Sequence, residues 1–474
     1  MTVRPAIACV VGALALLAGC RTAEVRDPEY PQVSHDAHQS DRRVVPVAAA
    51  MAPVISPLEG QHPVEEYIQY ALQQNPEVQA ARKRIEAIAH QVPVAASLQD
   101  PMLGMTFFPA PVQTAAGEQA YALSANQKIP WKGKLSTRAQ LVEEEANVAR
   151  ADLAAVELAT VEKVKHAYYE LYFIQQAIAV TEAEQLLLEE IRAVADARYR
   201  TNQTSQQDVL RADLEISNIE NELIRLRQRL KSGQAKLAKV MHVSPQTNLL
   251  ALRELPAEQA PIDLEQLQEQ AVAARPELHA QLAALRRDRQ AVELSKLDYM
   301  PDVTVGATWI DVADQGTSPV ANGNDSFLIT AGINLPIYRK RLEASQNSAE
   351  AKAVSTARQY DALRDSTLEE VTDLFQQATS QEALLRLFEG DILPKARQTL
   401  EVSQRAYNVG EVDFLQLVDN WRQLLRYEIS YIRLEASLRQ SLAELERVIG
   451  GFANPVPAPV TEPGPPPVPL PAPK

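Results

Sequence analysis

The chain has 474 residues, 46% of them hydrophobic and 23% charged, and its 61 acidic against 47 basic residues leave a formal charge of −14. That acid excess argues against a nucleic-acid partner, which needs a basic face. Only 16 glycines and 5% aromatics disfavour an all-β protein and Gly-rich phosphate loops, and suit long helices built from Ala, Leu and Val. Both cysteines, Cys9 and Cys20, lie at the extreme N-terminus, so the body has no thiol for a disulfide, a metal site or catalysis.

Residues 1–19 read as a secretory signal peptide: Arg4 precedes an apolar run from Ala6 to Leu17 and a small-residue site. The run is too short for a permanent bilayer span. Its ending, Leu17-Ala18-Gly19-Cys20, resembles a bacterial lipoprotein box. The resemblance implies cleavage before Cys20 and acylation of its thiol, and Arg21 in place of Asp implies the outer membrane. Residues 20–61, with five prolines and no visible period, read as a lipid-anchored tether or a strap lying on the body. His35 and His38 there belong to a solvated linker rather than a metal site. At the other end, residues 451–474 form an extended tail, with ten prolines from Pro455 onward.

The body between them is a tandem duplication. Asn75-Pro76-Glu77 recurs as Arg275-Pro276-Glu277, Ile129-Pro130 as Leu335-Pro336, Tyr199 as Tyr407, and Leu237–Val240 as Leu445–Val448. Repeat 1 covers 62–250, a linker 251–262 and repeat 2 263–450. Each repeat opens with a helical run, about 64–97 and 264–298. Two alternating segments follow, at about 102–108 and 120–129 in repeat 1 and about 302–311 and 326–335 in repeat 2. Polar loops at 109–118 and 312–324 join each pair. Val303, Val305, Ala307 and Trp309 alternate with Thr304, Gly306 and Thr308, as strands of transmembrane length would.

A long helical hairpin closes each repeat. Lys134 to Arg200 contains no Gly or Pro, and its length corresponds to about 100 Å of helix. Apolar residues spaced alternately three and four apart, such as Val209, Ala212, Ile216, Ile219 and Leu223, predict coiled-coil packing between neighbouring helices. Pro394 predicts a kink, Gly410 a left-handed turn between helices, and Trp131 a membrane-interface aromatic. No His-Glu-x-x-His, Gly-x-Ser-x-Gly or phosphate loop is present, so no enzyme activity, cofactor or metal site is expected. His166 and His242 read as isolated. Met102 and Met105 suit barrel packing better than copper contact.

Four strands cannot close a barrel, and an open edge in lipid leaves backbone groups unpaired. Two chains would supply eight strands, and three chains twelve, enough for an opening. The strands lead directly into the long helices, which would continue the barrel as a tunnel. The fold class is therefore mainly α with a small membrane β part whose strands close by association of chains; a family resemblance, carried by the residues that follow, implies assembly as a trimeric α-barrel continuous with a 12-stranded β-barrel.

At the junctions Gln127-Lys-Ile-Pro-Trp-Lys-Gly-Lys134 and Asn334-Leu-Pro-Ile337, at Ile392-Leu-Pro-Lys-Ala396 and at the turn Tyr407-Asn-Val-Gly410, the chain resembles the TolC-type outer-membrane efflux family over about 62–450. The resemblance implies a homotrimer in the outer-membrane lipid, with its tunnel in the periplasm. It would be a passive exit duct for an inner-membrane pump, of RND type, joined through a periplasmic adaptor. It also implies a periplasmic gate at the two helix turns, with Asp208 and Asp419 as tip carboxylates and Tyr407 as gate tyrosine. Gln416 stands where a second acidic residue is common, and Val412 where an Arg can occur. Alternatively, both aspartates simply face solvent. Asp100-Pro-Met and Ile129–Leu135 most resemble the heavy-metal (Czc/Cus-type) branch. Other readings are a multidrug or type I protein-secretion outlet, or a lipid-anchored coiled-coil scaffold with no pore.

Overall fold

Each half of the chain opens with a helix interrupted at an X-Pro pair. The structure, a computed structural model, describes residues 58–451 except 257, 315 and 321. The signal peptide, Cys20, His35, His38, most of the tether and the proline-rich tail lie outside the described residues. The first half comprises β1 (Gly60–Gln61), α1 (Val64–Gln74), α2 (Pro76–Ala96), β2 (Met102–Thr114), β3 (Gly117–Ile129), α3 (Lys134–Arg200) and α4 (Gln206–Met241). The second comprises β4 (Leu249–Leu250), α5 (Leu264–Ala274), α6 (Pro276–Leu297), β5 (Val303–Val312), β6 (Ser326–Ile333), α7 (Arg339–Leu387), a π-turn (Phe388–Ile392), α8 (Leu393–Val409) and α9 (Phe414–Val448).

The sequence suggests one helical run over 64–97 and another over 264–298; the structure breaks both. Asn75 and Arg275 adopt extended ψ values of 124° and 120°, because the ring of a following proline crowds a helical backbone. Asn75 then caps α2, its Oδ1 accepting from Glu77 N at 2.7 Å and Val78 N at 3.3 Å. Arg275 has no capping oxygen. Its guanidinium donates instead to Thr367 (3.0 Å) and Glu370 (2.9 Å), fixing the second break to α7.

Four strands form one sheet in the order β2-β3-β5-β6, with every neighbouring pair antiparallel. The first hairpin departs from expectation. Residues 109–114, assigned to a loop by their polarity and prolines, continue β2, and the turn shrinks to Ala115–Ala116. Pro109 and Pro111 are tolerated because β2 is an edge strand whose pairing is irregular between Phe107 and Val112. β6 ends at Ile333 rather than 335: Asn334 turns away and exchanges hydrogen bonds with Asp302. A separate parallel pair joins Gly60–Gln61 to Leu249–Leu250, and Tyr67 donates to the carbonyls of both Gly60 and Leu250. The last residues of the tether segment are thereby stitched to the end of repeat 1.

Lys134–Arg200 is one helix of 67 residues, about 100 Å long. It packs against α2, α4, α6 and α9. Its middle, from Val164 to Leu171, joins Tyr67, Leu237, Met241 and Leu249 in one core. Further along, Leu188, Ile191 and Ala195 meet Leu223, Leu400, Tyr407, Phe414, Leu417 and Trp421 in a second core shared by both hairpins. Ala212, Ile219, Leu223, Leu226 and Leu237 on α4, and Leu417, Leu424, Leu438, Leu445 and Val448 on α9, are buried at the spacing of a coiled-coil seam. Where the strands meet the helices, the buried Lys134 ammonium donates to Asp302 (2.7 Å) and to the Met300 carbonyl (3.0 Å). Trp131 N donates to the same Asp302 carboxylate, tying the start of α3 to the foot of β5.

Candidate functional site

Directly paired residues in an antiparallel sheet point to the same face, so the register sorts the four strands into two surfaces. On one face Leu103, Ala125, Ala307 and Ile329 form a row; Met105, Leu123, Trp309 and Phe327 form the next; Ile129, Val303 and Ile333 close it. Apart from Gln127, and Asp311 beside Tyr121 at the far end, this face is apolar from Tyr121 to Ile129, roughly 27 Å of strand. The other face carries Gly104, Ser124, Asn126, Lys128, Thr304, Gly306, Thr308 and Thr330, with Met102, Ile310 and Leu328 as its large apolar members. The apolar face is uncovered: Leu103 is 82% and Ile329 76% exposed.

Both outer strands pair on one side only among the described residues. A wet surface would not tolerate this much contiguous hydrocarbon, so the face needs a non-aqueous neighbour. Aromatics mark both ends of the band. Trp131 lies at the helix end; Tyr121 and Trp309, with ring centroids 5.7 Å apart, lie at the other. Met102 and Met105 fall on opposite faces of β2, so they cannot act together as ligands on one face.

The hairpin tips hold the residues assigned to a gate. Tyr407, on α8, is 3% exposed and packs edge-on against Phe414 at 5.7 Å. The Arg198 guanidinium, from the last turn of α3, lies 4.7 Å from the Tyr407 ring centroid. The Tyr407 hydroxyl and the Arg198 Nε and Nη1 atoms are buried without hydrogen-bond partners of good geometry. Burial pushes the Tyr407 phenol above its ordinary range, and the nearby Asp208 carboxylate pushes the same way. Asp208 is in the first turn of α4, where its charge suits the helix dipole, and it accepts a hydrogen bond from Thr204.

The structure thus brings Asp208 and Tyr407 together around Arg198. Gly410 has φ +86°, and a Cβ there would lie 3.3 Å from Arg198 Nη2, so the turn is shaped by the same arginine. Arg198 escaped the sequence reading, which looked for a cation near Val412 in repeat 2; the cation comes from repeat 1. The available signal was the Arg198-Tyr199 pair, aligned with Ala406-Tyr407.

Asp419 is not part of this cluster. Its side chain is 59% exposed and pairs with Arg422 at 3.1 Å, and Arg422 also holds the buried Glu215. Asp419 lines a groove of about 700 Å³ between α4 and α9, with Glu222, Arg229 and Arg426. Nearby, Glu184 on α3 is buried beside Trp421 and Glu428; neither its Oε2 nor Trp421 Nε1 has a partner of good geometry. Burial raises the Glu184 carboxyl to about 7, and Glu428 adds to the shift.

Of the two histidines read as isolated, His166 needs correction and His242, whose side chain is exposed, does not. His166 is not isolated: its Nε2 lies 2.8 Å from Glu444 Oε1. His242 caps α4 with left-handed backbone at φ +56°. No described helix is long and apolar enough to cross a membrane.

Known proteins share this arrangement. The chain is 24% identical over 335 residues to the cobalt-zinc-cadmium resistance protein CzcC of Cupriavidus metallidurans, covering 69% of this chain and 77% of that one. Its fold is similar to the outer-membrane channel OprN, with a TM-score of 0.71 and 19% identity over 82% of this chain and 90% of that one. It is also similar to CusC, with a TM-score of 0.70 and 16% identity over 83% of this chain and 94% of that one. The sequence profile of the outer membrane efflux protein family matches residues 67–241 and 267–451, one match for each half of the duplication. With both halves matched and the one-sided sheet joined to long helical hairpins, the chain belongs to the outer membrane efflux protein family.

Proposed function

We propose that the chain is the outer-membrane channel of a tripartite efflux system and that it works as a homotrimer. The observation that carries this reading is the sheet: one apolar face, one mainly polar face, and on either side an edge unpaired among the described residues. Three copies joined edge to edge give a 12-stranded barrel whose apolar face meets lipid and whose polar face lines an opening. The helical hairpins that leave the strands extend the passage into the periplasm. The chain spends no energy in this scheme. An inner-membrane pump of RND type drives transport, and a periplasmic adaptor joins the two proteins. Acylation of Cys20 anchors the N-terminus to the outer membrane.

Asp208, Tyr407 and Asp419 form the periplasmic gate in this reading, with Arg198 stacked on Tyr407 to hold the closed state. In a trimer each carboxylate becomes a ring that attracts cations. Heavy-metal cations are the proposed cargo; similarity to CzcC, a cobalt-zinc-cadmium resistance protein, supports this choice.

Growth of a deletion strain on zinc, cobalt, cadmium, copper and silver salts, beside dyes and detergents, tests the cargo. Selective metal sensitivity restored by the intact gene is the expected result. Sensitivity to dyes and detergents alone would overturn the metal assignment and leave the duct standing.

A further inference from the structure

Away from the tips, α3 and α9 bring three potential metal ligands to one place. Glu162 and His166 are four residues apart on α3 and therefore share a face. Glu444 reaches them from α9, and one donor atom from each residue lies within 4.8 Å of the other two. All three side chains are partly shielded, from 24% exposed for Glu162 to 37% for Glu444. His166 Nε2 is buried and, although close to Glu444, lacks a hydrogen bond of good geometry. That imidazole nitrogen lies inside the cluster, 2.8 Å from Glu444 Oε1.

The local charge balance points the same way. Arg447 contacts Glu162 (2.7 Å), Glu370 (3.0 Å) and Glu277 (3.5 Å), while Arg275 contacts Glu277 and Glu370. Four carboxylates, counting Glu444, therefore face two guanidinium groups. Lys165 offers no further compensation, being paired with Glu446. The carboxylates of the network outnumber its guanidinium groups, an acidic excess that suits a cation. Arg447 engages Oε2 of Glu162, and a carboxylate can serve a guanidinium with one oxygen and a cation with the other.

We infer that Glu162, His166 and Glu444 bind one divalent transition-metal cation across the seam between the two repeats. Tetrahedral zinc holds N and O donors at about 2.0–2.2 Å, hence roughly 3.4 Å from one another. Side-chain movements on the order of 1 Å meet that geometry from the separations present here. One imidazole and two carboxylates suit zinc, cobalt or nickel. Copper(I) and silver(I) prefer thiolate or thioether ligands, and magnesium an all-oxygen shell. The bound cation would cross-link α3 to α9 and so repeat 1 to repeat 2. The site stands on its own residues: it binds metal whatever the duct exports.

The test uses untagged full-length protein, purified in detergent and stripped with a chelator, titrated calorimetrically with zinc chloride. One saturable zinc per chain is expected, with magnesium failing to compete. His166→Gln and Glu444→Gln should each weaken binding at least tenfold, and His279→Ala, at a histidine outside the cluster, should leave it unchanged. Absence of saturable zinc binding, or binding unaltered in both cluster variants, would overturn the inference. Should a variant misfold, the wild type decides alone. Zinc is expected to protect His166 from diethyl pyrocarbonate, read by mass spectrometry of its peptide, and equal labelling with and without zinc refutes the site.

Discussion

The two repeats follow one plan and pack differently. In repeat 1 the long descending helix is continuous, and 18 of its 67 residues are buried within a single chain. In repeat 2 the equivalent path is divided into α7, a π-turn and α8, and α7 buries 6 of 49 residues. Apolar side chains such as Val354, Leu384 and Leu387 remain exposed along α7. One chain therefore covers more of α3 than of α7. In the proposed homotrimer a neighbouring copy would cover the more exposed repeat.

The cause of the break in repeat 2 is local. Pro394 lacks an N–H, and its ring collides with the carbonyl four residues earlier, at Gly390, inside the π-turn. At the offset of 208 that aligns the tips, Leu186 of α3 corresponds to Pro394. Leu186 is 65% exposed, so replacing it tests the backbone rather than the core. Leu186→Pro should destabilise the protein by about 3 kcal/mol or more, read as a fall in the thermal midpoint. Pro394→Ala should change it by less than about 1 kcal/mol, because the π-turn already accommodates the interruption. Equal effects at the two positions would break the comparison.

A pH titration sharpens it further, because Glu184 of repeat 1 is buried against Trp421 and Glu428 of repeat 2, with Arg397 pairing Glu428 at 2.8 Å. Its folded pKa is raised to about 7, so the fold favours the protonated acid. The stabilisation is complete below the unfolded value near 4.3 and is lost as pH rises through about 7. From pH 4 to 8 the loss is on the order of 3 kcal/mol. Glu184→Gln should flatten that dependence and raise the thermal midpoint at pH 8. A wild-type profile unchanged by the substitution would contradict the assignment.

At the tips a smaller effect is expected. Arg198→Ala removes a cation–π contact of about 1–2 kcal/mol, since the guanidinium is largely desolvated. Conductance in planar bilayers should rise as the closed state loses that contact, and Tyr407→Leu should act the same way without an additive effect in the double variant. Additive increases would show that the two residues act separately. Asp419→Asn, at an exposed ion pair, should shift stability by less than about 1 kcal/mol.

Much of this division was legible beforehand. Period-two alternation marked the strands because one face is apolar and the other polar, and the absence of Gly and Pro marked α3. The repeated Asn75-Pro76 and Arg275-Pro276 pairs held the helix breaks in plain view, though the long helical runs concealed them. The extension of β2 through Pro109 and Pro111 was hidden, since proline argues against a strand unless the strand is known to be an edge. Arg198 on Tyr407 and the meeting of His166 with Glu444 were out of reach. Each joins one repeat to the other across more than 200 residues, and no local period encodes such a contact.

The proposed channel depends most on how the sheet closes. The mass of the intact assembly, measured by native mass spectrometry on detergent-released full-length protein, addresses that directly. Three chains per particle is the predicted result; a stable monomer or dimer would contradict closure by three copies.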